Sequence, residues 1–274
     1  MKNEVKKMLL KVTPNSVYEK YKKVKNNRHV TIYKNGSEFH EYNDQYKKVS
    51  VIIPNYNYEK YIEERIDSIL FQTYPIYELI ILDDKSTDNS VAKIEEIIKK
   101  HPEIAIKFVK NEKNSGSVFS QWQKAFTLAT GDYVWIAEAD DSCNSRFLEN
   151  IMRGFEDKDV VLSYAESMRI DEANRIISDD CRDWMLAVSK TKWLHSYIND
   201  GKEEIKEALA VCNTIPNVSA VVFKKGNQVE IIEEAKHVYL FEQDEQWLEA
   251  IRATFEPWQD KVTIVQKYVS DHNS

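Results

Sequence analysis

The sequence predicts an α/β fold with a mostly parallel sheet, and three observations support that prediction. From residue 49 onward, short β-branched and apolar runs alternate with segments of helical periodicity. Four such strand and helix units follow one another within about 110 residues, which is typical of a nucleotide-binding half-domain. Polar residues follow each apolar run, at the positions where ligands bind in open parallel sheets.

Four strands are predicted from the apolar runs, and the first of them is predicted to be buried. Each run is short and rich in Val, Ile or aromatic residues, as strands covered on both faces are. The predicted strands cover residues 49–53, 79–82, 104–109 and 132–137. A further strand is predicted at residues 219–223.

Helices are predicted where apolar residues recur every three or four positions. The first covers residues 58–71, and the second begins at a cap formed by Asn89 or Ser90. The third ends at Thr130 and Gly131, and the fourth carries apolar residues between positions 147 and 155. Later helices are predicted near residues 202–210 and 226–235, with an amphipathic segment at 242–253.

Composition indicates an ordinary globular chain. The chain has 274 residues, of which 42% are hydrophobic and 30% charged, so it can bury a sizeable core. Its three cysteines show no C-x-x-C spacing, so we expect reduced thiols. The sequence contains neither an apolar run of the roughly 18 to 20 residues that span a membrane nor a secretory signal pattern. These features predict a cytoplasmic protein.

The charge is distributed unevenly along the chain. Residues 1–48 contain 12 Lys and Arg against 5 Asp and Glu, whereas the remainder contains 26 against 40. An acidic body argues against nucleic acid as a partner and would tolerate a divalent cation. We expect residues 1–47 to form a basic N-terminal extension and residues 48–274 to form one catalytic domain.

The extension contains a short amphipathic pattern made by Val5, Met8, Leu9 and Val12. One interpretation is a solvated helix that packs on the body or on a neighbouring domain. The other is a peripheral contact between its lysines and the anionic inner face of a membrane.

Polar clusters follow the four predicted strands, at residues 54–57, 83–88, 111–116 and 138–141. The last has the sequence EADD, and carboxylates two positions apart on an extended strand end point the same way. Such oxygen ligands suit Mg²⁺ or Mn²⁺. The second cluster has turn and capping residues, which leave Asp83 and Asp84 without a structural role and available for a ribose hydroxyl or a base N–H.

Three segments in this order, VSVIIPNYN, LIILDDKSTDNS and NEKNSGSVFSQWQKAFTLATGDYVWIAEADD, resemble family-2-type glycosyltransferases of the GT-A fold. The resemblance is in register over residues 49–165 and weaker beyond them. It implies a Rossmann-like nucleotide-binding sheet, with residues 48–164 as the nucleotide-sugar-binding half and 165–274 as the acceptor-binding half. It also implies transfer of a sugar, with inversion, from a UDP or dTDP sugar to a glycan or lipid-linked acceptor in surface polysaccharide or glycan assembly.

The resemblance further implies roles for individual residues. By position, base and ribose would be lined by Pro54, Asn55, Tyr56 and Asp84, and the donor would be bordered at a helix start by Asn114, Gly116 and Ser117. In the run 138–141, which matches the family's DxD motif, Glu138 and Ala139 would adjoin the nucleotide and Asp140 would ligate Mn²⁺ or Mg²⁺. Glu138 replaces the first Asp of that motif, which puts its direct role in doubt.

Two more positions depend on the resemblance. His272 lies where similar enzymes have a histidine near the metal and the diphosphate, with a disordered chain end as the alternative. Asp244 in the segment FEQDEQWLEAIR matches the catalytic base, and Glu242 and Glu245 compete with it. The alternative for these carboxylates is an acidic first turn that complements a helix dipole.

Other nucleotide-using enzymes fit the sequence less well. The sequence contains neither the G-x-G-x-x-G motif of dinucleotide-binding enzymes nor the G-x-x-x-x-G-K-[ST] motif of phosphate-loop enzymes. A nucleotidyltransferase would have a glycine-rich basic loop after the first strand, and this sequence has PNYNYEKY there. A glycosyltransferase-like module that has lost activity and serves as a scaffold remains the alternative. Trp122 and Trp135 are predicted core residues, whereas Trp184 and Trp193 fall in the irregular acceptor-side segment.

Overall fold

The computed structural model describes residues 39–225 except 103, 184 and 216. It also describes the backbone of two later strands, Val238–Glu242 and Val262–Gln266. The predicted N-terminal helix, the helix at 226–235 and nearly all of the amphipathic segment 242–253 lie outside the described residues. Within the described part, no helix is long and apolar enough to cross a membrane.

Strands and helices alternate through the first half of the described chain. In order, they are β1 Val49–Asn55, α1 Ile62–Leu70, β2 Glu78–Asp83, α2 Ser90–Lys100, β3 Ile106–Lys110, α3 Val118–Leu128, β4 Tyr133–Ile136 and α4 Phe147–Gly154. The second half is less regular, as expected. It contains β5 Leu162–Tyr164, β6 Arg169–Ile170, β7 Ile176–Ser178, α5 Gly201–Glu204, a π-helical turn Ile205–Leu209, β8 Val221–Lys224, β9 Val238–Glu242 and β10 Val262–Gln266.

The central sheet has six strands in the order β3-β2-β1-β4-β8-β5. Strands β1 to β4 are parallel, and β8 runs antiparallel to both β4 and β5. Because β2 lies on one side of β1 and β4 on the other, the chain changes direction across the sheet between β1 and β4. The predicted fold class, α/β with a mostly parallel sheet flanked by helices, is confirmed.

Both faces of the sheet are covered by helices. Alternate residues of β1 point to opposite faces: Val49, Val51 and Ile53 pack with apolar residues of α1, α2 and α4, whereas Ile52 packs with α3. Every residue of β1 is therefore buried, which explains its nearly continuous apolar sequence.

Several predicted boundaries were wrong by a few residues. The first helix begins at Ile62, because residues 58–61 form a turn in which Tyr58 O accepts from the N–H groups of Tyr61 and Ile62. The third strand begins at Ile106. The later strand is observed at Val221–Lys224 after a 3₁₀ turn, Val218–Ala220.

The predicted helix at 202–210 is an α-helical turn followed by a π-helical one. Its start is fixed by Asp200, whose side chain accepts from the backbone N–H groups of Lys202 and Glu203.

Candidate functional site

The polar strand ends meet at the carboxyl edge of the sheet, as predicted. Asn55, at the end of β1, is directly beside Asp83 of β2, which in turn is beside Lys110 of β3. On the other side of β1, Ile52 is level with Ile136, two residues before Glu138. The four polar clusters therefore share one edge, and the switch point between β1 and β4 is where open α/β sheets bind their ligands.

Asp83 stabilises the turn after β2 through its side-chain hydrogen bonds. Its carboxylate accepts from Asn55 Nδ2 at 2.7 Å, from Ser86 N at 3.0 Å and from Ser86 Oγ at 2.5 Å. The expectation that Asp83 has no structural role is therefore wrong, because its oxygens are used within the protein.

Asp84 is also fully engaged by protein groups. It accepts from Asn111 Nδ2 at 2.7 Å and from Gln121 Nε2 at 2.9 Å. It also accepts from the backbone N–H of Ser115 at 2.9 Å and from the Ser115 hydroxyl at 2.7 Å. The expectation that Asp84 lacks a structural role was wrong as well: this buried carboxylate connects β2, the loop after β3 and α3.

The loop after β1 is joined to the loop after β2 by side chains. Asn57 has a left-handed backbone (φ 61°), and its Oδ1 accepts from Thr87 N at 2.7 Å. Asn55 is buried, and its Oδ1 has no hydrogen-bond partner in the described part of the chain. Pro54 is buried in β1, whereas Tyr56 is exposed. The end of β1 therefore carries the exposed ring of Tyr56 and the buried Oδ1 of Asn55, which has no hydrogen-bond partner among the described residues.

The loop after β3 leads into the start of α3. Gly116 has a left-handed backbone (φ 68°), and its N–H donates to Asn114 Oδ1 at 2.6 Å. Ser117 is the N-cap residue of α3, but its side chain makes no capping bond. No acidic residue occupies the first turn of α3. The predicted donor-binding residues of this loop therefore stand at a helix N-terminus whose partial positive charge favours anions.

The acidic run 138–141 does not continue as an extended strand. β4 ends at Ile136, and Asp141 N donates to Glu138 O at 3.2 Å, which closes a turn through Ala139 and Asp140. The expected extended geometry was therefore wrong, and the N–H of Glu138 at the start of this turn donates to Ser219 Oγ at 2.9 Å. Ala139 is buried and Asp140 is exposed.

Glu138 is the most perturbed carboxyl of the site. Burial raises its pKa to about 7, the hydrogen bond that Trp122 Nε1 donates to Oε1 at 2.9 Å opposes the rise, and the charges of Asp140 and Asp141 add to it. The pKa of Asp140 is also raised, first by burial and then by the charge of Asp141. Carboxyl groups crowded in this way attract a cation.

Arg65 of α1 lies on the opposite side of β4 from Trp122. Its side chain is 0% exposed, and none of its guanidinium nitrogens has a hydrogen-bond partner in the described residues. The guanidinium carbon lies 5.2 Å from the centre of the Trp135 ring. Its positive charge also lowers the pKa of Glu138 and Asp140, although burial outweighs that effect at both. Sequence reasoning missed this residue.

A cleft of about 180 Å³ opens beside Asp140 and Asp141. Its wall is formed by the start of α1, the segment 140–142 and the turn between β6 and β7. Five of its lining residues are acidic: Glu64, Asp140, Asp141, Asp171 and Glu172. None of its lining residues is a lysine or an arginine.

The resemblance implies a divalent cation beside the acidic run. In residues 39–225, gaps excluded, no group of three or more His, Cys, Asp or Glu side chains has a geometry that would hold a metal ion. The hard carboxylate oxygens of Asp140 and Asp141 fit Mg²⁺ or Mn²⁺, which usually keeps several waters and uses only one or two protein carboxylates beside the substrate phosphates. The residues present therefore fit the ion as a partial ligand set.

Part of the predicted site lies outside the described residues. These positions are Asp244, Glu245 and His272. Glu242 ends β9, and only its backbone is described. The assignments of the base and of the histidine ligand therefore stay predictions.

Trp122 was predicted as a core residue, but it is only half-buried and its indole N–H contacts Glu138. Gln121, which binds Asp84, is buried beside it. A signal was present in the sequence, because both residues follow the N-cap Ser117 by about one helical turn and so stand near the carboxyl edge.

Comparison with known proteins decides the family. The model of the family described as glycosyl transferase family 2 matches residues 50–202, which is more than half of the chain. The chain belongs to glycosyl transferase family 2. The family match includes the four polar strand ends and the acidic run, so the family resemblance expected from the sequence is confirmed.

Several curated relatives are similar to part of this family-2 chain. The glycosyltransferase alr2836 of Nostoc sp. is 37% identical over 42% of this chain and 34% of its own length. The poly(ribitol-phosphate) beta-glucosyltransferase of Bacillus spizizenii is 36% identical over 37% and 16%. The putative teichuronic acid biosynthesis glycosyltransferase TuaG of Bacillus subtilis is 34% identical over 42% and 45%. The chain thus matches less than half the length of each of these relatives.

Solved structures similar to this family-2 chain include a mannosyltransferase and TarS. The mannosyltransferase PcManGT from Pyrobaculum calidifontis, in complex with GDP-Man and Mn²⁺, aligns with 44% of this chain and 36% of its own, at 29% identity and a TM-score of 0.42. S. aureus TarS 1–349 aligns with 81% of this chain and 58% of its own, at 19% identity and a TM-score of 0.47.

Proposed function

We propose that the protein is an inverting glycosyltransferase that moves a sugar from a UDP or dTDP sugar to a glycan or lipid-linked acceptor in surface polysaccharide or glycan assembly. One observation carries the proposal: the acidic run 138–141 lies at the switch point beside β1, in a segment that the family match covers. The names of the relatives, which include teichuronic acid biosynthesis, support the biosynthetic context.

The nucleotide occupies the edge between β1 and β2 in this proposal. Asn55 supports it, because its buried Oδ1 lacks a partner and can accept from a bound hydroxyl or N–H. The exposed ring of Tyr56 offers a surface for the base. Asp84 fixes Ser115 and thereby the loop that leads to Gly116 and Ser117, where the α3 N-terminus faces the donor.

Asp140 would hold Mn²⁺ or Mg²⁺ beside the donor diphosphate, and His272 is proposed as a further ligand. The ion supplies positive charge to the diphosphate when it is bound. Glu138 and Ala139 adjoin the nucleotide side of the run, and Trp122 holds the Glu138 side chain in place.

The reaction forms a bond between the acceptor oxygen and C1 of the sugar, while the bond between C1 and the diphosphate oxygen breaks. The nucleoside diphosphate leaves with the electron pair of that bond. The acceptor proton passes to a general base, which we assign to Asp244, with Glu242 and Glu245 as the alternatives.

Thermal unfolding in the presence of UDP, dTDP, GDP or CDP, with and without Mn²⁺, tests the donor site. We expect one nucleotide to stabilise the protein by about 2.7 kcal/mol at a hundredfold excess over Kd. Asp140→Ala should abolish the part of this stabilisation that requires Mn²⁺. The matched control is Asp159→Ala, an exposed carboxylate in the turn between α4 and β5, and it should behave as wild type.

Catalysis is tested on the same samples with the nucleotide sugar that corresponds to the stabilising nucleotide. The measurement is release of the sugar from that nucleotide sugar. Asp244→Asn should bind the nucleotide and lose turnover. Nucleotide binding without hydrolysis or transfer in wild type would favour the inactive scaffold module. No stabilisation by any of the nucleotides would contradict the donor site itself.

A further inference from the structure

Three aromatic side chains are joined by hydrogen bonds at the end of β5. Trp193 Nε1 donates to Tyr164 Oη at 3.1 Å, the hydroxyls of Tyr164 and Tyr197 are 2.6 Å apart, and Tyr197 Oη donates to Glu204 Oε1 at 3.0 Å. Since an indole N–H only donates and Tyr197 gives its proton to Glu204, Tyr164 must donate to Tyr197. We call Tyr164, Trp193 and Tyr197 the aromatic cluster.

Ionic contacts hold the aromatic cluster in place. Glu204 Oε2 is 2.7 Å from Lys192 Nζ and accepts from Asn199 Nδ2 at 2.9 Å. The ammonium of Lys192 lies 5.4 Å from the centre of the Tyr197 ring and covers one of its faces. The side chains of Lys192 and Glu204 are only 17% and 15% exposed, so this support is partly shielded from water.

The aromatic cluster stands on the same edge of the sheet as the acidic run. Tyr164 pairs with Val221 of β8, and the neighbouring Val222 pairs with Trp135 of β4. Tyr164 is therefore level with Ile136, two strands away, which corresponds to about 10 Å at the usual strand spacing. Because β8 is antiparallel to both neighbours, β5 and β4 end on the same side.

The aromatic cluster also has an exposed, partly apolar surface. Tyr197 is 37% exposed despite its hydrogen bonds, and the adjacent Leu194 and Ile198 are 43% and 72% exposed. Amphipathic rings with an open face and fixed polar edges suit the C–H faces and hydroxyls of a sugar ring.

Basic side chains beside the aromatic cluster are paired with carboxylates, so they offer little positive charge to an anionic ligand. Lys192 and Lys206 are paired with Glu204 and Glu203. Arg182, which donates to Trp193 O, is paired with Asp180 and Glu166.

The cleft beside Asp140 is lined by five acidic residues and no basic one, although Asp171 among them is paired with Arg175 outside the lining. A polymer of phosphodiesters would meet repulsion at this cleft, whereas a neutral sugar would not.

We propose that the aromatic cluster is the acceptor subsite and that it binds a neutral sugar ring through Tyr197 and Trp193. This inference rests on the proposed transferase function, because an acceptor must lie beside the donor. It adds to that function the residues of the acceptor subsite and the charge class of the acceptor.

Saturation-transfer NMR on the full chain tests the proposal with methyl β-glucopyranoside and methyl α-mannopyranoside as neutral probes and ribitol 5-phosphate as the anionic probe. We expect at least one methyl glycoside, and not ribitol 5-phosphate, to give a signal with wild type. Tyr197→Leu should reduce that signal at least fivefold. The matched control is Tyr46→Leu, a half-buried tyrosine that precedes the amino end of β1 and packs on Tyr74.

Trp193→Phe provides a second variant if Tyr197→Leu fails to fold, and we expect it to weaken the signal as well. Failure of both methyl glycosides to bind wild type, or equal signals from the Tyr197 and Tyr46 variants, would show that the subsite is wrongly assigned. Binding of ribitol 5-phosphate that depends on Tyr197 would overturn the neutral class. Nucleotide stabilisation is measured on the same samples, so loss of the donor site is distinguished from loss of the acceptor subsite.

Discussion

Trp122 Nε1 donates a hydrogen bond of 2.9 Å to Glu138 Oε1 and so connects α3 to the acidic run that follows β4. Val134 of β4 packs with apolar residues of α3, and by strand alternation Glu138, four residues later, falls on the same side of the sheet as Trp122. This hydrogen bond holds the Glu138 side chain at the switch point of the sheet, where the side chain is partly buried. The contact opposes the effect of burial, because a hydrogen bond to a carboxylate favours its ionised form.

Trp122→Phe should raise the pKa of Glu138 further above about 7. Loss of a hydrogen bond to a charged group costs about 1.5 kcal/mol or more, so the ratio of ionised to protonated Glu138 at neutral pH should fall roughly tenfold. A carbon-13 NMR titration of labelled glutamate measures this shift. Phe119→Leu is the control, since Phe119 packs on Trp122 without donating to Glu138. An unchanged Glu138 titration in Trp122→Phe would contradict the assigned contact.

The raised pKa of Glu138 predicts a dependence of stability on pH. The ordinary pKa is 4.5 and the folded value about 7, so the folded protein binds more protons between these values and its stability falls as the pH rises through them. The cost is fully present above about pH 7 and amounts to about 3 kcal/mol.

Glu138→Gln keeps an acceptor for Trp122 and cannot ionise. Its free energy of unfolding relative to wild type should therefore increase by about 3 kcal/mol between pH 4 and pH 8. Urea denaturation in metal-free buffer at several pH values measures the difference. A difference that is constant with pH would show that Glu138 titrates normally.

Asp84→Asn should destabilise the protein and loosen the loop after β3. An amide at this position places N–H groups against the donors of Asn111, Ser115 and Gln121, which now bind the carboxylate. We expect the free energy of unfolding, measured by urea denaturation, to fall by about 3 kcal/mol, because hydrogen bonds to a charged group are lost. Faster hydrogen exchange should be confined at first to residues 111–117.

Asp159→Asn is the matched control for that substitution, because its carboxylate is exposed, and it should change stability by less than about 0.5 kcal/mol. Equal denaturation midpoints for the two variants would contradict the role assigned to Asp84.

The four parallel strands could be predicted because their evidence is local. Each is a short run rich in β-branched or aromatic residues, and β1, β2 and β4 are buried on both faces, whereas the edge strand β3 has no fully buried residue. Helix starts were less certain because they depend on turns such as the one at Tyr58, whose hydrogen bonds leave no apolar pattern.

The site could be located from the sequence, but its side-chain contacts could not be predicted. Four polar strand ends in a parallel sheet must meet, so the edge itself followed from topology. The partners of Asp84 are about 30 residues away, and Glu138 N donates to a serine 81 residues later. Nothing in a local pattern specifies such contacts, which is why Asp83 and Asp84 were wrongly left without structural partners.

The buried charge of Arg65 is expected to affect both the stability of the protein and the pKa of Glu138 in the acidic run. It lies on the buried face of α1 with Ile62 and Ile69, so its position at helical spacing was a signal in the sequence. A buried guanidinium without hydrogen bonds carries a desolvation cost that a hydrophobic side chain of similar length avoids. Arg65→Met removes that desolvation cost, so we expect the free energy of unfolding to rise. It should also raise the pKa of Glu138 above about 7, because the charge of Arg65 lowers that pKa.

Arg65→Lys is the matched control for Arg65→Met, since it keeps the charge, and it should produce neither change. Urea denaturation measures the first effect and the carbon-13 titration of Glu138 the second. If Arg65→Met were less stable than wild type, the guanidinium would have to be stabilised by the neighbouring carboxylates more than it is penalised by burial. Such a result, accompanied by a large rise in the Glu138 pKa, would mean that Arg65 is the counter-charge that holds the acidic run in its folded position.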